Sequence, residues 1–462
     1  MSDGEEALTA LTIAEAAPRI RNGDLSPVDL TMAVLECIGR TEPRIHAYVS
    51  VQEDLALTSA RKAAEELGSG RDRGPLHGIP VAVKDIIDIA GLPTCCGSES
   101  RRGVPPAATD ARVVERLRQA GAVVIGKTVT HEFAAGVTSP PARNPWDPTR
   151  IPGGSSGGSG ASVAAGSSFA ALGSDTAGSI RIPAALNGVV GLKPTYARVS
   201  REGVFPLSWS LDTIGPLTRS AEDAHLVFDA IREDGDRLAT RLHGGEVQGT
   251  RLGVPRSYFF DHLQPDVAKA IENAIAAFTA LGAKIIEVDW AEAEAASAAG
   301  FVICRPELAA VHERTLHDSP ERFGAVLRSR LEAFSIFPGR DYLRARRARA
   351  MIRQSIADLY SQHNLGALIT PTTPATATDA GALTIAYPDG EEPVHAGFTR
   401  FTMPFNTTGQ PALSIPCGFD RDGLPIGMQI IGRPYEETRI CNLAMAFERT
   451  SRDVRRLPDV TS

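Results

Sequence analysis

Residues 151–195, IPGGSSGGSGASVAAGSSFAALGSDTAGSIRIPAALNGVVGLKPT, are dominated by glycine, serine and alanine. Side chains this small cannot fill space. Such a segment is either loose and solvated or packed so tightly that backbones meet. A flexible linker stays polar and separates independent domains. Here the Gly/Ser run leads into the small, apolar stretches SVAAGSSFAALGS and IRIPAALNGVVGL, which points to a dense interior. A phosphate-cradling loop is also disfavoured, because there is no G-x-x-x-x-G-K-[ST] and no G-x-G-x-x-G after a clear strand.

A serine nucleophile is the remaining reading. Gly153-Gly154-Ser155-Ser156-Gly157 matches G-x-S-x-G, but that elbow needs a strand before it. The preceding PWDPTRIP, with three prolines, makes a poor one. A two-serine arrangement fits better. Ser155 lies in one glycine-rich loop, followed by a small-residue helix at about 156–166 and a short strand at about 168–172. The chain then returns to a second turn, residues 173–179, ending at Ser179. This return can set the two serines side by side. A helix starting after Ser179 tolerates Pro183 only near its first turn. Backbone N–H groups at such a turn can receive an oxyanion.

A serine hydroxyl needs a base, and no histidine near these serines has an obvious motif. Lys84 sits within the apolar run 79–87, IPVAVKDII. Burial there would disfavour its charged form and make it a neutral base. The alternative is an edge-strand lysine that discourages aggregation, and local sequence leaves both open. Asp85 is adjacent, but strand neighbours point to opposite faces, so it need not partner Lys84.

The 462-residue length suggests about three domains, although a large α/β enzyme holds this length as one. Hydrophobic residues at 43% and charged residues at 22% exclude a disordered or collagen-like chain. The net charge of −7 advertises neither a nucleic-acid nor an anionic-membrane partner. The acidic start MSDGEEALTA lacks the marks of a secretory signal, and no apolar run approaches the ~18 residues of a membrane helix. The six cysteines show no C-x-x-C and no zinc spacing. Reduced thiols in a cytoplasmic protein are expected.

Elsewhere helical and β patterns alternate. Helices are expected from Ser26-Pro27 to about Gly39 and over 52–67, 109–120 and 266–281. Strands are expected over 80–89, 122–127, 251–255, 283–289, 367–370, 412–416 and 427–431. The alternation argues for an α/β layered fold. Residues 291–362 read as almost wholly helical. The arginines of RDYLRARRARAMIR (340–353) are expected to face solvent or pair with nearby acids. Residues 371–396 read as a long loop.

Several blocks are shared with one known family. GPLHGIPVAVKD (74–85), GAVVIGKTVTHEFA (121–134), NPWDPTRIPGGSSGGS (144–159), LGSDTAGSIRIPA (172–184), GVVGLKPT (188–195) and SLDTIGPLTRS (210–220) are joined by TPTTP (370–374) and PALSIPCGFDRDGLPIGMQIIG (411–432). On these blocks, over nearly its whole length, the chain resembles the amidase signature family of serine amidohydrolases. The resemblance implies one α/β/α domain over 1–462 around a large twisted mixed sheet, with a motif-bearing core at about 74–220 and a helical substrate funnel at about 291–400. It implies a Ser–cis-Ser–Lys triad: Ser179 the nucleophile, Ser155 the bridge after a cis Gly154–Ser155 peptide, and Lys84 the base. It implies an oxyanion hole from the N–H groups of Thr176, Ala177, Gly178 and Ser179, and neither a metal nor an organic cofactor.

One departure stands out. Many members read D-T-G-G-S where this chain has Ala177, so the turn must suit an L-residue there. Asp175 and Arg181 are expected as structural supports. Ser156 and Ser159 are expected to bond loop backbone, and His131 to be structural.

The implied activity is hydrolysis of a carboxylic amide, anilide, carbamate or ester by a free-standing enzyme acting on a small molecule and water, with no nucleic acid or membrane in direct contact. A homodimer is compatible with the family. The alternative is the glutaminase component of a tRNA-dependent amidotransferase, which works with protein partners. Residues 204–210, VFPLSWS, resemble the free-standing enzymes more than that component, which commonly reads like AFASS there. A catalytically dead scaffold is disfavoured, because Lys84, Ser155 and Ser179 are all present. Family members act on aliphatic, aryl, peptide and fatty amides, ureas and urethanes, and the sequence does not select among them.

Overall fold

The computed structural model describes residues 8–233, 242, 247–450 and 456–460. Its centre is an 11-stranded mixed sheet. The strands are β1 (Tyr48–Val51), β2 (Pro80–Lys84), β3 (Val123–Thr128), β4 (Ala170–Asp175), β5 (Val190–Lys193), β6 (Thr213–Thr218), β7 (Arg251–Pro255), β8 (Lys284–Val288), β9 (Ala367–Pro371), β12 (Ala412–Phe419) and β13 (Pro425–Ile431). A separate hairpin holds β10 (Thr384–Tyr387) and β11 (Gly390–Pro393). The sheet order is β1-β3-β2-β4-β6-β5-β12-β13-β9-β7-β8. β3-β2-β4 and β9-β7-β8 run parallel, and the strands between and at the β1 edge pair antiparallel. β2 to β6 are buried along their whole length, as strands covered on both faces must be.

Helices cover the sheet in two groups. One comprises α1 (Gly157–Ala164) and α2 (Arg181–Asn187), which pack on each other and on the central strands. The other includes Ala221–Ile231, Pro265–Ala280 and Glu437–Glu448, whose helices meet one another and the same sheet. The expected α/β layered fold is therefore observed. A further layer is built by α3 (Ala293–Asp318), α4 (Ala325–Ser335), α5 (Gly339–Gln362), α6 (Val394–Arg400) and α7 (Met403–Thr408). It rests on an aromatic cluster of Phe259, Trp290, Phe401 and Phe405, all almost fully buried. No helix among the described residues is long and apolar enough to cross a membrane.

Several expectations need adjustment. The helix from Pro27 runs to Ile45, past Gly39. β2 stops at Lys84, where the chain turns and Asp85 N–H bonds Thr128 O. The supposed loop 371–396 contains the β10–β11 hairpin. Its signal was Pro388-Asp389-Gly390, a turn tripeptide between two short runs. β5 and β6 escaped notice because Gly191, Gly215 and Pro216 dilute their β character. Arg340 and Arg344 pair with Asp341 as expected, but Arg349 turns inward and donates to the carbonyls of Thr407 and Ser210.

Candidate active site

β2 lies between β3 and β4, so Lys84 is a central-strand residue and the edge-strand alternative falls away. Its side chain is fully buried. Nζ donates to Ser155 Oγ at 2.7 Å, Ser174 Oγ at 2.9 Å and Ser156 Oγ at 3.0 Å. No carboxylate lies within ion-pair distance among the described residues. Burial therefore outweighs the more distant charges of Asp212 and Asp175, and pushes the Lys84 ammonium down to about 7. Asp85 faces the other way and pairs with Lys127 at 2.8 Å, as strand alternation allows.

The Ser155 loop is built by close approach. The Gly154–Ser155 peptide is cis. A Cβ on Gly154 would lie 2.7 Å from the Val137 carbonyl carbon. Ser155 O accepts from His131 N–H and from Ser139 Oγ, at 3.1 and 3.0 Å. The His131 ring accepts the Ser139 N–H at 3.2 Å, and burial pushes the imidazole down to about 4, so it is neutral. His131 thus supports the loop. Ser156 and Ser159 donate to the carbonyls of Ser174 and Leu172, as expected of loop hydroxyls.

Asp175 organises the second turn. Its Oδ1 accepts from Gly178 N–H, Arg181 Nη2 and Asn406 Nδ2, and its Oδ2 from Ile180 N–H, Arg181 N–H and Arg181 Nε. Burial alone would raise this carboxyl, but the Arg181 guanidinium overrides it and holds Asp175 at about 2. Arg181, fully buried, also reaches Gln429 Oε1, Thr402 O and Asn406 Oδ1. Both residues are structural supports by these contacts. Thr402 Oγ1 donates to Ala177 O and closes the turn from the other side.

The residue in this turn that needs to be glycine is Gly178, with φ +122° and a Cβ position 2.2 Å from Thr402 Oγ1. Ala177 is not in the left-handed region, which resolves the D-T-A-G-S departure. Gly178 N–H is committed to Asp175, whereas those of Thr176, Ala177 and Ser179 have no acceptor among the described residues. Of the four expected oxyanion donors, three are free and Gly178 is not.

Ser156 N–H donates to Ser179 O at 3.2 Å, which joins the two loops. No hydrogen bond joins the Ser155 and Ser179 hydroxyls. Ser179, 6% exposed, lines a cavity of about 400 Å³ with Thr176 and Ala177. Its apolar walls include Val137, Leu207, Phe301, Leu308 and Phe334. Behind Thr176, Asp212 accepts its hydroxyl at 2.6 Å and the N–H groups of Leu207 and Ser208. Burial nonetheless raises Asp212 to about 6. Sequence reasoning missed Ser174, Asp212, Thr402 and Asn406. Only Ser174, in the LGSD block, and Asp212, in the SLDTIGPLTRS block, had a local signal.

The family model described as Amidase matches residues 29–441. The chain is 42% identical to an amidase from Pseudomonas putida, over 98% of this chain and 99% of that one. It is 37% identical to the A component of the glutamyl-tRNA(Gln) amidotransferase from Carboxydothermus hydrogenoformans, over 96% and 97% of the two chains. Among solved structures, the native peptide amidase of Stenotrophomonas maltophilia superposes with a TM-score of 0.84 at 31% identity, covering 98% of this chain and 99% of that one. A fold, a motif set and full-length relatives thus agree, and the chain belongs to the amidase signature family of hydrolases acting on C–N amide bonds.

Proposed function

We propose that this chain is a free-standing amidase that cleaves a carboxylic amide, or a related anilide, carbamate or ester, through an acyl-enzyme on Ser179. The observation that carries the reading is the buried Lys84 amine, held on serine hydroxyls and poised near neutrality. A neutral amine has two N–H donors and one lone pair. The Ser156 proton is committed to Ser174 O, so Ser156 can only accept from Nζ. Ser155 and Ser174 have no competing acceptor among the described residues, so either hydroxyl is free to give Nζ a proton. The proposed relay assigns that role to Ser155, whose loop is joined to that of Ser179.

In the proposed cycle, Ser179 Oγ attacks the amide carbon as its proton passes to Ser155 and that of Ser155 to Lys84. The free N–H groups of Thr176, Ala177 and Ser179 receive the oxyanion. The proton returns through Ser155 to the leaving nitrogen, which would otherwise depart as an amide anion. Water then cleaves the ester by the same relay.

A second reading, the glutaminase component of an amidotransferase, is carried by the 37–38% relatives of that name. Residues 204–210 and the 42% identity to an amidase favour the first. The test is release of amine or ammonia from a panel of amides and carbamates, L-glutamine included, with Ser179→Ala in parallel. Turnover of a non-glutamine amide, lost in the variant, is expected. Glutamine-only turnover, or silence until a partner protein is added, overturns the proposal.

A further inference from the structure

The cavity that holds Ser179 carries a charge imbalance its hydrolytic chemistry does not require. Arg305 comes from α3 and Arg330 from α4, and both line it. The two guanidiniums are close enough that Arg305, after burial, helps depress Arg330. Neither has a carboxylate within 4.0 Å among the described residues. Arg305 stacks on Phe301 and Phe334, and Arg330 donates once, to Ala135 O at 3.1 Å.

The nearby acids are engaged elsewhere. Glu307 accepts from the hydroxyls of Ser208, Ser210 and Tyr342. Glu132 accepts from Ser98 and Gly324, and Glu332 faces Arg328. His395 completes the wall. Desolvation, with Arg330, His131 and Arg305 around it, pushes its imidazole down to about 3, so it offers a neutral polar edge. Arg330, half-buried beside apolar walls, loses solvation without gaining a counter-ion, and the exposed Arg305 beside it adds a second unneutralised cation, an arrangement that an incoming anion completes.

We infer that the substrate is an amide bearing a carboxylate remote from the scissile bond, with Arg305 and Arg330 as the residues that select it. The inference rests on the amidase reading above. The carboxylate can belong to the acyl side or to the leaving amine, and the probes separate these. Half-amides of linear dicarboxylic acids test the first. N-acyl ω-amino acids test the second. Each is compared with a neutral analogue of equal length.

In the wild-type enzyme kcat/KM is expected to favour one acidic series over its neutral analogues by at least about tenfold, with the preference shrinking as salt rises. In Arg330→Gln and Arg305→Gln that ratio should fall towards one. The free dicarboxylate should also inhibit the wild-type enzyme more strongly than the monocarboxylate of equal length, a readout that needs no variant. Neutral amides hydrolysed as well as or better than both acidic series overturn the inference and leave the amidase reading standing. Ratios unchanged in the variants, with both activities falling together, overturn it too. No Ser179-dependent hydrolysis of any amide overturns both.

Discussion

Replacing Asp175 by asparagine tests whether the second turn is held by charge or only by shape. The substitution is isosteric, so packing is unchanged. The carboxylate accepts three donors on each oxygen: Gly178, Arg181 Nη2 and Asn406 on one, and Ile180, Arg181 N–H and Arg181 Nε on the other. An asparagine keeps one accepting oxygen. Whichever way its amide turns, three buried donors face an NH2 group, and Arg181 is left as a buried cation without its counter-ion. Breaking a buried pair by removing one partner costs about 3–5 kcal/mol. For a chain of this size that corresponds to a fall in melting temperature on the order of 5 °C. The assay is thermal denaturation at pH 7, paired with amide turnover. Turnover should fall further than stability, because the freed turn carries Ser179. Asp175→Asn combined with Arg181→Met removes both charges and should recover part of the melting temperature without recovering activity. A single variant melting within about 1 °C of wild type would refute the argument. So would a double variant less stable than the single.

Three further outcomes follow from the same geometry. If Lys84 is the base, only its neutral form works, so kcat/KM is present above about pH 7 and falls roughly tenfold per unit below it; a pH–rate profile checks this, and Lys84→Met should lose about 10²–10⁴-fold. Ala177→Gly should leave kcat/KM within about threefold, because Ala177 needs no left-handed backbone, whereas Gly178→Ala should abolish most activity through its clash with Thr402; equal effects would contradict the turn geometry. With Asp175 held at about 2 against an ordinary 3.8, its contribution of about 2 kcal/mol is complete above pH 4 and is lost as pH falls towards 2, so the Asn variant should show a shallower acid-unfolding curve in that window.

What could be read in the sequence was local. The strand–helix return from Ser155 to Ser179 appears as α1 and β4, and Pro183 sits in the first turn of α2. Lys84 was only half legible: a lysine inside a β-branched run has few places to put its charge, but local sequence left an edge-strand role open until β2 was placed between β3 and β4. The supports of the second turn were not legible. Thr402, Asn406 and Gln429 lie more than 220 residues beyond the turn they hold, in segments whose own patterns signal only short helices and strands. Hydrogen-bond networks of that reach are written in tertiary contacts and leave no periodicity. β6 was obscured for a different reason. Pro216 argues against a central strand, yet the register sets it opposite Leu172 in β4. The arginines at the cavity looked like any solvated helical face until α3 and α4 were placed side by side.

The reach of Arg181 also sets a timetable. Its last partner, Gln429, follows it by 248 residues. At about 5–20 residues per second, a ribosome finishes that partner roughly 10–50 s after Arg181 has been added. Throughout that interval the nascent chain already contains Lys84, Ser155 and Ser179, but the set of downstream braces, Thr402, Asn406 and Gln429, is incomplete. The bracing of this turn is therefore complete only with the final strands of the sheet, and a chain that ends before Gln429 is expected to be inactive.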